Sequence, residues 1–276
     1  MLERTRATVR VDASAADIGV RSGQQVKLTL APAEIGAGLT LERSDLGRRC
    51  PLDLEHCAAG PAATVCGEGE AAVCFVEHLL AALWARGVTD CVVRIDGPEV
   101  PLFDGSALPM LELIDEAGVA RSGAPLEPLE VAEPAMVIDE HRALCALPGE
   151  PAEFAYSLDY DHPVIGRQFA SFVPGRDDFD VEVAPARTFI TLEEAEELRE
   201  AGLLAAGSEE NCLVVYPDHC SQEPAIPQAF ARHKLLDLLG DLYLLGRPVL
   251  GRVFAFYTGH RHNHELARML AGEPGG

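Results

Sequence analysis

The sequence predicts an α+β protein built from two units. Three observations carry that expectation: a length of 276 residues, a pattern of strands followed by an amphipathic helix that occurs twice, and a proline-rich break between the two occurrences. A chain this long exceeds a usual single domain, and size alone allows one large domain or two of roughly 100 to 150 residues. Hydrophobic residues make up 48% and charged residues 24%, enough apolar material for a core and too much for a disordered chain.

Residues 24–34 (QQVKLTLAPAE) alternate apolar and polar side chains and read as a strand. Residues 71–87 (AAVCFVEHLLAALWARG) have helical spacing and stop at Gly87, a C-cap. Strand, turn-rich loop and helix follow over 89–118. Residues 122–134 (SGAPLEPLEVAEP) lack periodicity and mark a linker, so the units are 1–121 and 135–276. The second unit opens with the strand-like runs RALCALPG and EFAYSLDY. It continues through ARTFI, the helix TLEEAEELREAG, the strand NCLVVY and the helix FARHKLLDLLGDLYLLG. It closes with the strand RVFAFYTG and the helix HELARMLAG. Each unit places a histidine at the start of a leucine-rich helix, a thin sign of duplication.

The formal net charge of −22 argues against nucleic-acid or anionic-membrane partners. An anionic small substrate would need a local basic cluster, for which Arg187, Arg232, Lys234 and Arg261 are candidates against the plainer reading of solvated surface charges. Eight cysteines without a C-x-x-C pair fit a reducing compartment. The opening MLERTRATVRV has no apolar core and no run approaches the ~18 apolar residues that span a bilayer, so the expectation is a cytoplasmic protein with no integral membrane association.

The leucine-rich helix of the second unit carries the chemistry. His233, Asp237 and Asp241 recur at a spacing of four and form one polar stripe, while Leu235, Leu238, Leu239 and Leu242 fill the rest. A histidine and a carboxylate at i, i+4 can bind one divalent metal; the alternative is a solvated face with a His–Asp pair. A catalytic zinc takes three protein ligands, and His78 in FVEHLL is a third candidate. Glu77 lies about 100° around the same helix, within reach of a metal-activated water. His260 stands in YTGHRHNHEL at a strand–helix junction, where His262 and His264 leave two readings open: a second metal cluster, or exposed loop histidines.

The motifs VEHLLAAL, DGPEVPLFDGSA, DYDHPVIGRQ, ARTF, GSEENCLVV, RHKLLDLLGDLYLLGRPVLG and TGHRHNHEL occur in this order over residues 18–270. In this the chain resembles the UDP-3-O-acyl-N-acetylglucosamine deacetylases of lipid A biosynthesis. The resemblance implies a two-domain α+β sandwich, each domain a sheet layered with helices, with the active site between the domains. It implies a monomeric, Zn²⁺-dependent amidohydrolase acting on a UDP-linked acylated amino sugar, with His78, His233 and Asp237 as zinc ligands and Glu77 as base. By the same resemblance His260 is the general acid oriented by Asp241, and Lys234 and Thr188 stabilise the oxyanion. Substrate contacts fall to Phe189, Arg232, Leu198 and Leu203, the acyl passage being lined by a strand–helix–strand insert over 186–215. Amide hydrolysis requires an activated water, a stabilised oxyanion and a proton for the amine, and this set provides all three.

The chain departs from the family pattern at Val20 and Arg21, where a leucine and a histidine are usual, and at Ile190 and His262; of a threonine-rich stretch before the first active-site helix it retains Thr64. These departures bear on substrate fit rather than on the hydrolytic groups. The alternatives are a same-fold deacetylase for another acetylated amino sugar or acyl length, and a non-catalytic binding protein, against which the intact Glu77, His78, His233, Asp237 and His260 argue.

Overall fold

Two five-stranded sheets with the same internal order organise the chain in the computed structural model, which describes residues 5–272. In space the first runs Ala13–Ile18, Gln25–Pro32, Cys91–Ile95, Leu39–Arg43, Arg48–Pro51, and the second Ala135–Asp139, Arg142–Leu147, Arg252–Phe256, Glu153–Asp159, Arg167–Phe172. In both, the last strand in sequence enters at the centre, antiparallel to the second and parallel to the third. A parallel neighbour requires a long crossover. Helix α1 (Val76–Arg86) lies in that crossover in the first half, where α2 (Leu108–Ala117) follows the central strand. The second half has a short α3 (Phe179–Glu182), α4 (Leu192–Glu200) and α5 (Ala229–Tyr243) in the crossover, and α6 (His260–Leu270) after the central strand. The structure is α+β, and its matched strand orders give the thin sign of duplication a topological form.

The strands bury alternate side chains, Val26, Leu28 and Leu30 in the second strand for example. Helix α1 is buried almost all round from Val76 to Leu83 and ends at Gly87, whose left-handed φ of 66° closes the C-terminus as expected. Helix α2 packs on the first sheet, and α5 and α6 on the second. Helices α1 and α5 pack on each other at the middle, so closely that a Cβ at Gly240 would run into the Glu77 carbonyl. Buried side chains of both halves form one continuous core.

Three local expectations shift. Within 122–134 the chain is paired at two places: Val119–Pro125 runs antiparallel to Thr5–Val9, and Leu129–Glu130 parallel to Val249–Leu250. Proline is tolerated at such edges. The helix expected from residue 71 begins at Val76, because Val73–Cys74 joins a small sheet with Cys57–Gly60 and Ala63–Cys66, and Phe75 turns left-handed (φ 63°) between them. The last helix begins at His260 instead of His264. Among the described residues no helix is long and apolar enough to cross a membrane, and the cysteines are free thiols.

Candidate active site

Helices α1 and α5 bring His78, His233 and Asp237 together. One ligand atom from each lies within 4.8 Å of the others, and this is the one such group of three among the described residues. The spacing of four places His233 and Asp237 on one face of α5, and the close approach at Gly240 lets α1 present His78 to that face. Asp237 Oδ1 is 3.5 Å from His78 Nε2 and 3.5 Å from His233 Nε2.

That geometry fits a zinc ion. Tetrahedral bonds of about 2.0–2.1 Å set ligand atoms roughly 3.3–3.5 Å apart, whereas 3.5 Å is long for a hydrogen bond. Asp237 Oδ1 is buried and has no hydrogen-bond partner, and such an orphaned carboxylate oxygen is costly unless a cation meets it. The other oxygen, Oδ2, accepts from Lys234 Nζ at 3.1 Å. His233 Nδ1 donates to the Ala186 carbonyl at 3.2 Å, which leaves the Nε2 lone pair facing Asp237. Burial pushes the His233 imidazole down to about 3, despite Asp237 beside it. It is neutral at physiological pH, the state that ligates metal.

Beside the triad, Glu77 and His260 face each other, Glu77 Oε1 lying 3.9 Å from His260 Nε2. Burial raises the Glu77 carboxyl above its ordinary value. Burial opposes charge on His260 too, but the Asp241 carboxylate, 2.8 Å from Nδ1, outweighs it and pushes the imidazole up to about 10. The polar stripe is therefore neither solvated nor a simple His–Asp pair: His233, Asp237 and Asp241 are all buried.

Of these groups His260 edges a cavity of about 750 Å³. Lys234, Thr188 and Phe189 line it, with Lys234 Nζ 5.5 Å from the Phe189 ring centre. Leu198 on α4 and Leu203 and Leu204 just beyond it contribute an apolar wall. Arg21 also lines it, its guanidinium donating to Cys74 Sγ at 3.0 Å.

Other expected groups are placed elsewhere. Arg232 is not brought to the cavity: it donates to the Pro227 and Glu182 carbonyls and pairs with the Glu182 carboxylate at 3.3 Å. The reason is helical phase, since Arg232 precedes His233 by one residue and points about 100° away. Arg187 is held by the Asp104, Glu209 and Glu210 carbonyls. Arg261 does line the cavity, paired with Asp139 at 2.8 Å. The reading of His262 and His264 as exposed loop residues is corrected, because both are buried on α6. His262 Nε2 meets Asp139 at 2.8 Å, and among the described residues no second metal cluster forms with His260.

Sequence reasoning missed Asn263, which donates to Asp241 Oδ2 at 2.8 Å, and the contacts of Thr64 and His264. The signal for the α6 residues was present. His260, Asn263 and His264 stand at i, i+3 and i+4, one helical face.

A family model for UDP-3-O-acyl N-acetylglycosamine deacetylase (LpxC) matches residues 6–272. The UDP-3-O-acyl-N-acetylglucosamine deacetylase of Myxococcus xanthus (strain DK1622) is 39% identical over 266 residues, 95% of this chain and 85% of that protein. The protein of the same name from Anaeromyxobacter dehalogenans (strain 2CP-C) is 37% identical over 276 residues, 99% of this chain and 90% of that one. That from Helicobacter pylori (strain J99 / ATCC 700824) is 34% identical over 270 residues, 97% and 92% of the two chains.

Proposed function

The chain belongs to the UDP-3-O-acyl N-acetylglycosamine deacetylase family, and from that premise we propose that it hydrolyses the N-acetyl group of UDP-3-O-acyl-N-acetylglucosamine, releasing acetate, as a zinc enzyme of lipid A biosynthesis. The observation that carries the reading is the buried, unpartnered Asp237 Oδ1 midway between His78 and His233, on a carboxylate held by Lys234, which itself lines a cavity with an apolar wall.

His78, His233 and Asp237 would hold the metal, whose contribution there is Lewis-acid polarisation of the amide carbonyl and a water acidified to near neutral pH. Glu77 takes a proton from the attacking water. Lys234 and Thr188 meet the negative charge that develops on the carbonyl oxygen, in a buried setting where such charges are worth more than in water. Lys234 keeps its proton, because burial is opposed by Asp237 and the ammonium is held above its ordinary value. His260 Nε2 gives a proton to the departing nitrogen as the C–N bond breaks, while Asp241 holds Nδ1. Phe189, Leu198 and Leu203 take the acyl chain. The reading carries with it a cytoplasmic monomer, divided near 122–134 into a unit with Glu77 and His78 and a unit with the other groups.

The test is acetate release from UDP-N-acetylglucosamine with and without the 3-O-acyl chain, before and after verified metal removal. At about 0.8 kcal/mol per buried CH₂, a chain against this wall makes the acylated substrate better by at least ~100-fold in kcat/KM, about 2.7 kcal/mol. Activity falls with the metal and follows a bell-shaped pH profile. Its acid limb lies above the usual glutamate range, since Glu77 must be ionised and is raised. Its alkaline limb lies near 10, where His260 loses its proton. Equal rates on both sugars would point instead to another acetylated amino sugar; full activity in the metal-free protein would end the zinc reading.

A further inference from the structure

Thr64 sits in the strand Ala63–Cys66, paired on one side with Cys57–Gly60 and, through Val65 and Cys66, with Val73–Cys74. Val65 is half-buried and Thr64 wholly buried, packed against α1 with its side chain reaching Asp241 on α5 and His264 on α6. Its backbone N–H donates to Glu77 Oε2 at 3.0 Å. Its hydroxyl donates to Asp241 Oδ1 at 2.6 Å, across 177 residues of sequence. A hydroxyl has one proton to give. The contact with His264 Nε2 at 3.0 Å must therefore run the other way, from the ring N–H to Thr64 Oγ1. That leaves His264 Nδ1 as the bare nitrogen, and Nδ1 is the buried ring atom without a partner.

We infer that Thr64 is a positioning residue, locking Glu77 through its N–H and Asp241 through its O–H, with His264 fixing the direction of the hydroxyl. The inference rests on the proposed roles of Glu77 and His260. Glu77 has one oxygen held by Thr64 and the other 3.9 Å from His260. Asp241 has one oxygen on Thr64, and the other receives His260 and Asn263. Base and acid are thereby fixed relative to each other by one side chain and its own backbone. Loss of the hydroxyl would leave Asp241 Oδ1 under-satisfied and free Asp241 to rotate, taking His260 with it, while the substrate cavity and the metal ligands keep their shape.

The experiment compares Thr64→Val and Thr64→Ser, alone and combined with Asp241→Asn, for kcat, KM, bound metal and thermal midpoint. Partners of this kind are worth roughly 10- to 100-fold. Thr64→Val should lose that much in kcat at unchanged KM and metal content, and Thr64→Ser should restore it. In the Asp241→Asn background Thr64→Val should add little, because both changes break one linkage. Thr64→Val with wild-type kcat, Thr64→Ser no better than Thr64→Val, or a full additive loss in the double variant would each overturn the inference. Should Thr64→Val fail to fold, His264→Leu is judged by the same kcat and KM criteria. The ¹H–¹⁵N spectrum of the histidine rings needs no turnover: His264 protonated at Nε2 supports the arrangement, and protonation at Nδ1 overturns it. A wild type that is inactive on the acylated sugar yet shows the Nε2–H ring would sink the proposed substrate and leave the Thr64 linkage standing.

Discussion

The two halves use one strand order for unequal work. Each threads its fifth strand through the centre of the sheet, and each places a helix with an early histidine, α1 with His78 and α5 with His233, in the crossover before that strand. The two imidazoles meet edge to face at 5.1 Å between ring centres. The likeness ends there. Helix α1 adds Glu77 and is otherwise apolar up to Arg86 at its end, whereas α5 adds Lys234, Asp237 and Asp241, and α6 adds His260. The inserts at the same point of the crossover differ in kind. In the first half a small three-stranded sheet presents Thr64 to the buried network. In the second, Phe189–Thr191, α4 and Leu213–Val215 wall the cavity. A repeated scaffold thus sets where the groups converge, and the helices and inserts decide what each half contributes.

The largest effect tests the early histidine that both halves place on their crossover helix. His78→Ala and His233→Ala should each cost several kcal/mol, on the order of 10³-fold or more in kcat/KM, with matching loss of bound metal. The equality is the point. If His78→Ala kept full metal occupancy, the first half would supply no ligand, and the pairing of the two histidines would be a packing contact only.

A smaller effect breaks the seam between the halves. Replacing glycine by alanine inside a helix usually gains up to about 1 kcal/mol. At Gly240 the sign reverses, because the new Cβ meets the Glu77 carbonyl of α1, within a buried contact that has no room to give. Overpacking of this kind costs roughly 1–3 kcal/mol, about 2–4 °C in Tm for each kcal/mol in a chain of this size. Ala85 holds the corresponding place, seven residues after His78, as Gly240 does after His233. Ala85→Gly should show only the ordinary helix cost of about 1 kcal/mol. Thermal melts of the two variants decide it: a Gly240→Ala protein as stable as wild type would mean the helices can separate.

What the sequence made legible follows from range. Residues four apart on one helix must share a face, so His233, Asp237 and Asp241 could be read as one stripe, and the caps and strand periods were local in the same sense. Long motifs carried the family resemblance and with it the convergence of His78 on that stripe. The Thr64 contacts were not legible, because a threonine in a strand is ordinary and its partners lie 13, 177 and 200 residues away. Nor was the pairing of Leu129–Glu130 with Val249–Leu250, which proline content nearby disguised. Arg232 shows the limit of counting charges near a motif, since one helical step turned it to Glu182.

The smallest effect separates the two inserts. Helix α4 is short and mostly exposed, and only Ala195 within it is buried. Its start is held by a capping box, in which Glu194 N donates to Thr191 Oγ1 at 3.2 Å and Thr191 N donates to Glu194 Oε2 at 2.9 Å. Thr191→Ala removes the first of these bonds and should destabilise the helix start by about 1 kcal/mol. A helix of nine residues with so little buried surface has little else to hold it, so the loss appears as local fraying and not as global unfolding. Leu198 on α4 faces the cavity, and fraying raises the cost of ordering that wall around an acyl chain. KM for the acylated sugar should then rise by a factor of about 2 to 5, the range that up to about 1 kcal/mol allows, with kcat nearly unchanged. Thr64→Val in the other insert predicts the opposite split, a lower kcat at constant KM. If Thr191→Ala lowered kcat and left KM alone, the second insert would be tied to the reacting groups as the first is, and the division of labour between the two would be lost.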